Sequence, residues 1–267
     1  MNKAVGLAIA VLAAGATVAE ARPLRILSLD QCADQYVLAL APEAELALSP
    51  RADDPDAWMR VEARGRRQVR PTLEAAMAFQ PDVVVRYWGG EPRLLARLEA
   101  DGVRVAMIDD AADFAGIRAN VRSVAHALDA APRGEALIST MDRKLTHAAQ
   151  VNDGRARGRV QYLTPGGFTA GSGTLVDAVL GAAGFANAAT APGFAAVNVE
   201  RIALFPPVRF VLGFFDQSRS DWRGPGRHPV VRKAVEGRAV ASLKASTLTC
   251  PGWFAADAAR MLSEQAE

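Results

Sequence analysis

Residues 72–85 read TLEAAMAFQPDVVV, and residues 198–211 read NVERIALFPPVRFV. In each copy a glutamate, Glu74 or Glu200, stands two places after a threonine or asparagine that suits the start of a helix. A phenylalanine follows each glutamate after five places and a proline after seven, and then an apolar run begins. Each copy therefore predicts a short helix that leads into a strand, and the repetition predicts two lobes of one architecture.

Strand and helix patterns alternate on both sides of these copies. Three consecutive valines in the strand after Glu74 are typical of a strand that is covered on both faces of a parallel sheet. The predicted strands are 25–29, 46–49, 82–87, 103–108, 159–164, 208–215 and 239–243. The predicted helices are 31–40, 71–79, 92–100, one from Leu175, 198–205 and a closing one from about Trp253.

Residues 113–150 lack any strand-like run and place apolar side chains at helical spacing. The second part of this segment is long enough to connect two lobes, although a surface helix of one lobe would show the same pattern. We therefore expect an α/β protein with an N-terminal lobe at 22–130, a connecting helix at 131–151 and a C-terminal lobe at 152–267.

The N-terminus has the pattern of a secretory signal peptide. The chain begins MNK, continues with an apolar stretch at 4–18 and then reads AEA before Arg22. The stretch is short for a membrane span, so we expect cleavage after residue 21 rather than a retained anchor. In the oxidising compartment that export implies, Cys32 and Cys250 either form a disulfide or stay as two buried thiols, and the sequence does not decide between these.

Motifs for catalysis, metal binding or nucleic-acid binding are absent from the sequence. The net charge of +2 gives no reason to expect a nucleic-acid partner. The three histidines, His126, His147 and His228, are not spaced to meet at a metal. Ser172 lacks the frame of a nucleophile elbow, and the glycine-rich segment 165–174 departs from the dinucleotide fingerprint. We therefore expect a binding protein with no metal and no cofactor, rather than an enzyme.

Aromatic and arginine side chains follow the predicted strands at their carboxyl ends, where open α/β sheets bind ligands. Two such lobes facing each other would form a cleft for a large and partly apolar ligand, although ordinary core packing would also explain single aromatic residues. The candidate ligand contacts are Arg51, Tyr87, Trp88, Phe168, Phe215, Trp222, Arg223 and Trp253.

Four segments together resemble the periplasmic substrate-binding proteins of ABC importers for vitamin B12 and iron-siderophores. They are RILSLDQCADQ at 25–35, LEAAMAFQPDVVV at 73–85, YLTPGGFTAGSGTLVDAVLGAAG at 162–184 and VERI at 199–202. The resemblance extends over nearly the whole mature chain. It implies two Rossmann-like lobes joined by one rigid helix, and it implies that Glu74 and Glu200 dock onto arginines of a membrane permease. Stabilisation of a helix start by an acidic residue is the other explanation for the two glutamates.

The resemblance implies a monomer in the periplasm that binds a corrinoid or a ferric siderophore between its lobes and delivers it to an inner-membrane ABC permease. Tyr87-Trp88 stands where the vitamin B12 binders tend to place a tryptophan with an arginine, so the sequence does not separate corrinoid, siderophore and haem. An exported hydrolase and an adaptor without ligand are the alternative functions.

Overall fold

The computed structural model describes residues 22–153, 155–207, 209–219 and 223–265, and the first of its two main sheets lies in the N-terminal half. This sheet has four strands in the order β2-β1-β3-β4, and all of its pairings are parallel. The elements of this half are β1 (Arg25–Ser28), α1 (Gln31–Leu40), β2 (Glu45–Ala47), α2 (Arg60–Ala63), α3 (Leu73–Phe79), β3 (Val83–Arg86), α4 (Pro92–Ala100) and β4 (Arg104–Met107).

Two helices without an intervening strand follow the first sheet, as the sequence predicts. They are α5 (Phe114–Ala127) and α6 (Ala131–Val151), and they pack against each other. A Cβ on Gly134 would lie 2.6 Å from the Cβ of Ala125, so glycine is required where the two helices come closest.

The C-terminal half repeats the parallel arrangement. Its elements are β5 (Arg159–Leu163), β6 (Phe168–Ala170), α7 (Leu175–Ala182), β7 (Ala186–Asn187), β8 (Phe194–Ala196), α8 (Val199–Leu204), β9 (Phe210–Gly213), α9 (Pro229–Val235), β10 (Ala239–Leu243) and α10 (Ala255–Gln265). The second sheet has the order β10-β9-β5-β7 with parallel pairings, while β6 and β8 form a separate antiparallel ribbon. The predicted α/β fold with largely parallel sheets is therefore confirmed.

The helix α10 returns from the end of the chain and packs along α6. An ion pair of 2.6 Å between Lys144 of α6 and the nearly buried Asp257 of α10 joins the two helices. One hydrophobic core extends from the inner face of the first sheet through these helices to the second sheet, and it includes Val85, Val121 and Val211. Two smaller cores cover the outer faces of the sheets. The three valines of β3 are completely buried, as expected for a strand between two helical layers.

The predicted signal peptide at residues 1–21 lies outside the described residues and stays a prediction. Within the described ranges, the structure contains no helix with the length and apolar character that crossing a membrane requires.

Candidate functional site

The carboxyl ends of the strands in the two sheets face each other, and contacts cross between them. Cys32 in the first turn of α1 forms a disulfide with Cys250, which follows β10 in the other half. Beside it, the Tyr36 hydroxyl donates a hydrogen bond of 2.6 Å to the carbonyl oxygen of Pro251. The first turns of α1 are therefore joined covalently and by hydrogen bonding to the segment after the last strand.

A second contact between the two halves lies in the loop that follows β2. The Ser218 hydroxyl donates to the Asp56 carboxylate at 3.1 Å, and the Ser218 backbone N–H points at the same group. Arg219 lies 4.0 Å from the carboxylate of Asp54. Because Ser218 and Arg219 follow β9, this contact also connects strand ends of the two sheets.

A cavity of about 460 Å³ opens between the two sets of strand ends. Tyr87 and Asp110 contribute its N-terminal wall, and each follows a strand of the first sheet. Its C-terminal wall consists mainly of small and apolar residues, with Leu175, Phe194, Leu248, Cys250 and Pro251 among them. The disulfide therefore lies directly at the cavity. This placement follows the rule that open α/β sheets bind ligands beyond the carboxyl ends of their strands.

Tyr87 presents a neutral phenol to this cavity. Its hydroxyl donates a hydrogen bond to the carboxylate of Asp110. Burial, followed by the hydrogen bond to Asp110, raises the pKa of Tyr87 to about 12, because both disfavour the phenolate. The ring therefore keeps its proton throughout the physiological pH range and offers an aromatic face together with a polar edge.

Two further aromatic side chains are exposed near this region. Trp88, directly after Tyr87, is 59% exposed. Phe194, which begins β8 and lines the cavity, is 69% exposed. Both rings leave apolar area uncovered, and Phe194 does so at the cavity itself.

The structure brings only part of the predicted ligand set to this cavity. Tyr87 lines it, whereas Trp88 follows Tyr87 in the chain without being one of the lining residues, and Phe168 is half exposed on the ribbon strand β6. Arg51 lies on the loop after β2, where its guanidinium pairs with Asp54 at 2.8 Å. Trp222 lies outside the described residues.

Phe215 and Arg223 belong to other parts of the C-terminal half. The ring of Phe215 packs on the outer core of the second sheet, with the guanidinium of Arg227 at 5.2 Å from its centre. Arg223 lines a separate surface cavity of about 760 Å³ that also includes Glu200 and His228. Neither residue contributes to the cavity between the sheets.

The structure corrects the prediction for Trp253. This side chain is only 4% exposed and belongs to the central hydrophobic core. Its ring meets the rings of Tyr36 and Phe254 edge to face, each at 5.3 Å between centres. Trp253 follows the last strand, as the prediction required, but the chain turns inward there to begin α10, and the indole is therefore a packing residue.

The sequence reasoning missed Asp110 and Phe194 as cavity residues. Asp110 carries the same signal as Tyr87, since it follows the strand β4 next to β3 in the sheet. Phe194 has no comparable signal, because it begins a three-residue strand in a segment rich in glycine and alanine. Ser172, rejected as a nucleophile, donates its hydroxyl proton to the carbonyl oxygen of Thr190 at 3.2 Å.

Glu74 and Glu200 occupy equivalent places in the two halves. Each is the second residue of its helix, and each is exposed. Thr72 and Asn198 cap these helices with their own side chains, by accepting from the backbone N–H three residues ahead. Within the described part of the chain, neither glutamate has a hydrogen bond or an ion pair to a side chain. Both carboxylates are therefore available to a partner.

The chain was compared with known families and structures. Residues 39–207 match the family described as "Periplasmic binding protein". No curated protein sequence matches the chain.

Solved structures of periplasmic binding proteins share the fold. The haem-binding protein RhuT from Roseiflexus sp. RS-1 has 21% identity and a TM-score of 0.69, with 92% of this chain and 100% of that chain covered. The vitamin B12-binding protein BtuF of Vibrio cholerae has 19% identity and a TM-score of 0.65, with 91% and 96% covered. A possible iron-binding protein from Staphylococcus epidermidis has 17% identity and a TM-score of 0.70, with 92% and 99% covered.

The family match covers more than half of the chain, and its members are solute-binding proteins of the periplasm. The paired parallel sheets, the cavity at their facing strand ends and the match over residues 39–207 agree, and the chain belongs to the periplasmic binding protein family.

Proposed function

We propose that this protein binds a corrinoid in the cavity between its two sheets and delivers it to an inner-membrane ABC permease. The observation that carries the proposal is the composition of the cavity. It combines aromatic rings on opposite walls, Tyr87 and Phe194, with small and apolar residues and a carboxylate at Asp110. Similar structures include binding proteins for vitamin B12 and for haem, both of which are large metal chelates.

Charge favours a corrinoid over the two competing cargoes. Among the described residues that line this cavity there is no lysine or arginine, and Arg51 and Arg223 lie elsewhere. The edge of a corrinoid carries mainly amides, whereas haem carries two propionates and many ferric siderophores are anionic. An anion beside Asp110 would lack a compensating charge, while an amide can pair with the carboxylate and with backbone groups.

At about 460 Å³ the cavity is smaller than a whole corrinoid, so part of the cargo would extend beyond the lining residues. We propose that this part contacts the ring of Trp88, which follows Tyr87 in the chain and is exposed.

Glu74 and Glu200 suit the docking step of this function. They are two exposed acids on equivalent helices, one on each half of the molecule, and two separated charges can orient a partner with basic sockets. We propose that they contact arginines of the permease, that the protein acts as a monomer, and that residues 1–21 direct its export.

Spectral titration tests the cargo. The protein from residue 22 onward should shift the visible spectrum of hydroxocobalamin at micromolar concentration, and should bind hemin and ferric siderophores more weakly. Trp88→Ala should weaken corrinoid binding by about 5- to 150-fold, as expected for loss of one aromatic contact worth about 1–3 kcal/mol. Phe205→Ala removes another exposed ring, directly after the end of α8; it is the control and should leave affinity unchanged. Tighter binding of hemin or of a ferric siderophore than of the corrinoid would refute the assignment.

A further inference from the structure

Asp30 stands between β1 and α1 and is only 2% exposed. One of its carboxylate oxygens, Oδ1, accepts hydrogen bonds of 3.0 Å from the backbone N–H groups of Cys32 and Ala33. These bonds cap the helix α1, which is the role that an aspartate before a helix commonly has.

The second oxygen of Asp30 has a different role. Oδ2 accepts from the backbone N–H groups of Tyr87, Trp88 and Gly89, at 2.7, 3.2 and 2.9 Å. A single buried carboxylate therefore accepts five backbone hydrogen bonds, which compensates the burial of its charge. A helix cap needs only the first set, so the second set calls for its own explanation.

The loop after β3 is pressed against the end of β1 by these bonds. A Cβ on Gly89 would lie 2.3 Å from the carbonyl oxygen of Leu29 and 3.0 Å from Oδ2 of Asp30. No side chain fits at this point, and only glycine allows so close an approach. The backbone from Tyr87 to Gly89 is thus fixed from one side by the strand and from the other by the carboxylate.

We propose that Asp30 is a positioning residue for cargo binding, which holds the backbone of Tyr87 and Trp88 in the conformation that presents both rings to the cargo. This inference rests on the proposed binding function. The same carboxylate fixes the turn of α1 that carries Cys32, so one residue aligns Tyr87 on the N-terminal wall of the cavity with the disulfide on the opposite wall. A loop that is ordered before the cargo arrives loses less conformational entropy on binding.

The substitution Asp30→Ser separates the two roles of the carboxylate. A serine hydroxyl still caps a helix, but it is too short to reach the N–H groups of the loop. We expect the cargo affinity to fall at least tenfold, the amides of residues 87–89 to exchange hydrogen faster, and the amides of α1 to stay protected. Asp113→Ser is the matched control, because Asp113 caps α5 through the N–H of Gly116 and, within the described part of the chain, makes no hydrogen bond with the loop.

Gly89→Ala perturbs the same loop without changing Asp30, and it covers the case in which Asp30→Ser does not fold. We expect it to weaken cargo binding in the same way, whereas Gly181→Ala should have no effect because a Cβ there meets nothing within 4 Å. Affinity for hydroxocobalamin, hemin and a ferric siderophore is measured by spectral titration, and exchange by NMR.

Unchanged affinity in both loop variants would overturn the inference, as would lost affinity with wild-type exchange rates at 87–89. Wild-type protein that binds none of the three cargoes would instead refute the proposed function. In that case the hydrogen-exchange rates of amides 87–89 in Asp30→Ser would by themselves decide whether Asp30 holds the loop after β3.

Discussion

The two copies of the glutamate motif end in different ways, although their residues align place for place. In the first copy α3 includes Phe79, whose ring is fully buried (0% exposed). In the second copy α8 ends at Leu204, and the equivalent Phe205 is 76% exposed. A shared sequence pattern therefore predicts the helix and the place of the glutamate, but not the environment of the phenylalanine.

The prolines explain the difference. A residue that precedes proline is disfavoured in the α-helical conformation. In the first copy this residue is Gln80, which follows Phe79 and takes a left-handed conformation with φ of 52°. In the second copy an additional proline, Pro206, places the restriction on Phe205 itself, whose φ of −136° and ψ of 68° lie outside the helix. The additional Pro206 thus ends the helix of the second copy one residue earlier, and the phenylalanine that is buried in the first copy is exposed in the second.

Removal of the Phe79 and Phe205 rings should give the largest difference between the two copies, measured as the free energy of unfolding. Phe79→Ala should lower the free energy of unfolding by about 3–5 kcal/mol, because it empties a buried site between the guanidinium groups of Arg25 and Arg67. Phe205→Ala should change it by no more than about 0.5 kcal/mol. Urea denaturation measures both values, and similar losses in the two variants would contradict the comparison.

Gln80 and Pro206 occupy the same place in the two copies, and substituting each by the other residue should change where the helix ends and how stable the protein is. Gln80→Pro should destabilise the protein by about 3 kcal/mol or more, since proline cannot take a positive φ and removes the N–H that bonds to Ala76 at 2.9 Å. The reverse change, Pro206→Gln, should extend α8 by one residue and slow the hydrogen exchange of its last amides. An unchanged end of α8 would show that tertiary packing, and not Pro206, determines where this helix stops.

Substitution of Glu74 and Glu200 tests whether the two copies contribute equally to permease binding, although their helices end differently. Glu74→Ala and Glu200→Ala should each weaken binding to the permease at least tenfold, or about 1.4 kcal/mol, and should lower transport with unchanged cargo affinity. Glu99 is an exposed glutamate on α4, so Glu99→Ala is the control and should leave permease binding unchanged. Loss of cargo affinity in either variant would place that glutamate in the cargo-binding site rather than on the surface that contacts the permease.

The smallest expected effect concerns the strained residue that ends α3. Gln80→Gly should stabilise the protein by up to about 1 kcal/mol, because a left-handed conformation is unfavourable for a residue with a Cβ. Thermal unfolding with calorimetry would detect the change. A loss of stability would indicate that the Gln80 side chain contributes packing that outweighs its backbone strain.

Local signals predicted most of the fold. The bounds of α4 and β10 agree with the sequence patterns at both ends, because Pro92 suits a first turn and β10 is a short apolar run between turns. The β6–β8 ribbon was not predicted, since its three-residue strands stand among glycines and show no alternation. For the same reason the glycine-rich segment 165–174, which contains β6, was interpreted as a loop, either a tight turn or one that faces the ligand.

The site was less predictable than the fold, because tertiary arrangement creates it. Tyr87 was found from its place after a strand, but Trp253 satisfied the same rule and lies in the core. The rule identifies the edge of a sheet and does not say whether a side chain there points to solvent or inward. Phe194 reaches the cavity through the ribbon, so it could be recognised only after the ribbon was known.

The disulfide between the two halves has a consequence for biogenesis. Cys32 and Cys250 are separated by 218 residues, so the bond closes a ring that contains most of the folded chain, including α6, the whole second sheet and every strand of the first sheet except β1. In a chain that crosses the membrane from its N-terminus, Cys32 arrives early and has to stay unpaired until almost the last segment has emerged. A thiol-protecting or isomerising partner would serve this protein during export, and a chain stopped before residue 250 would lack the cysteine with which Cys32 pairs.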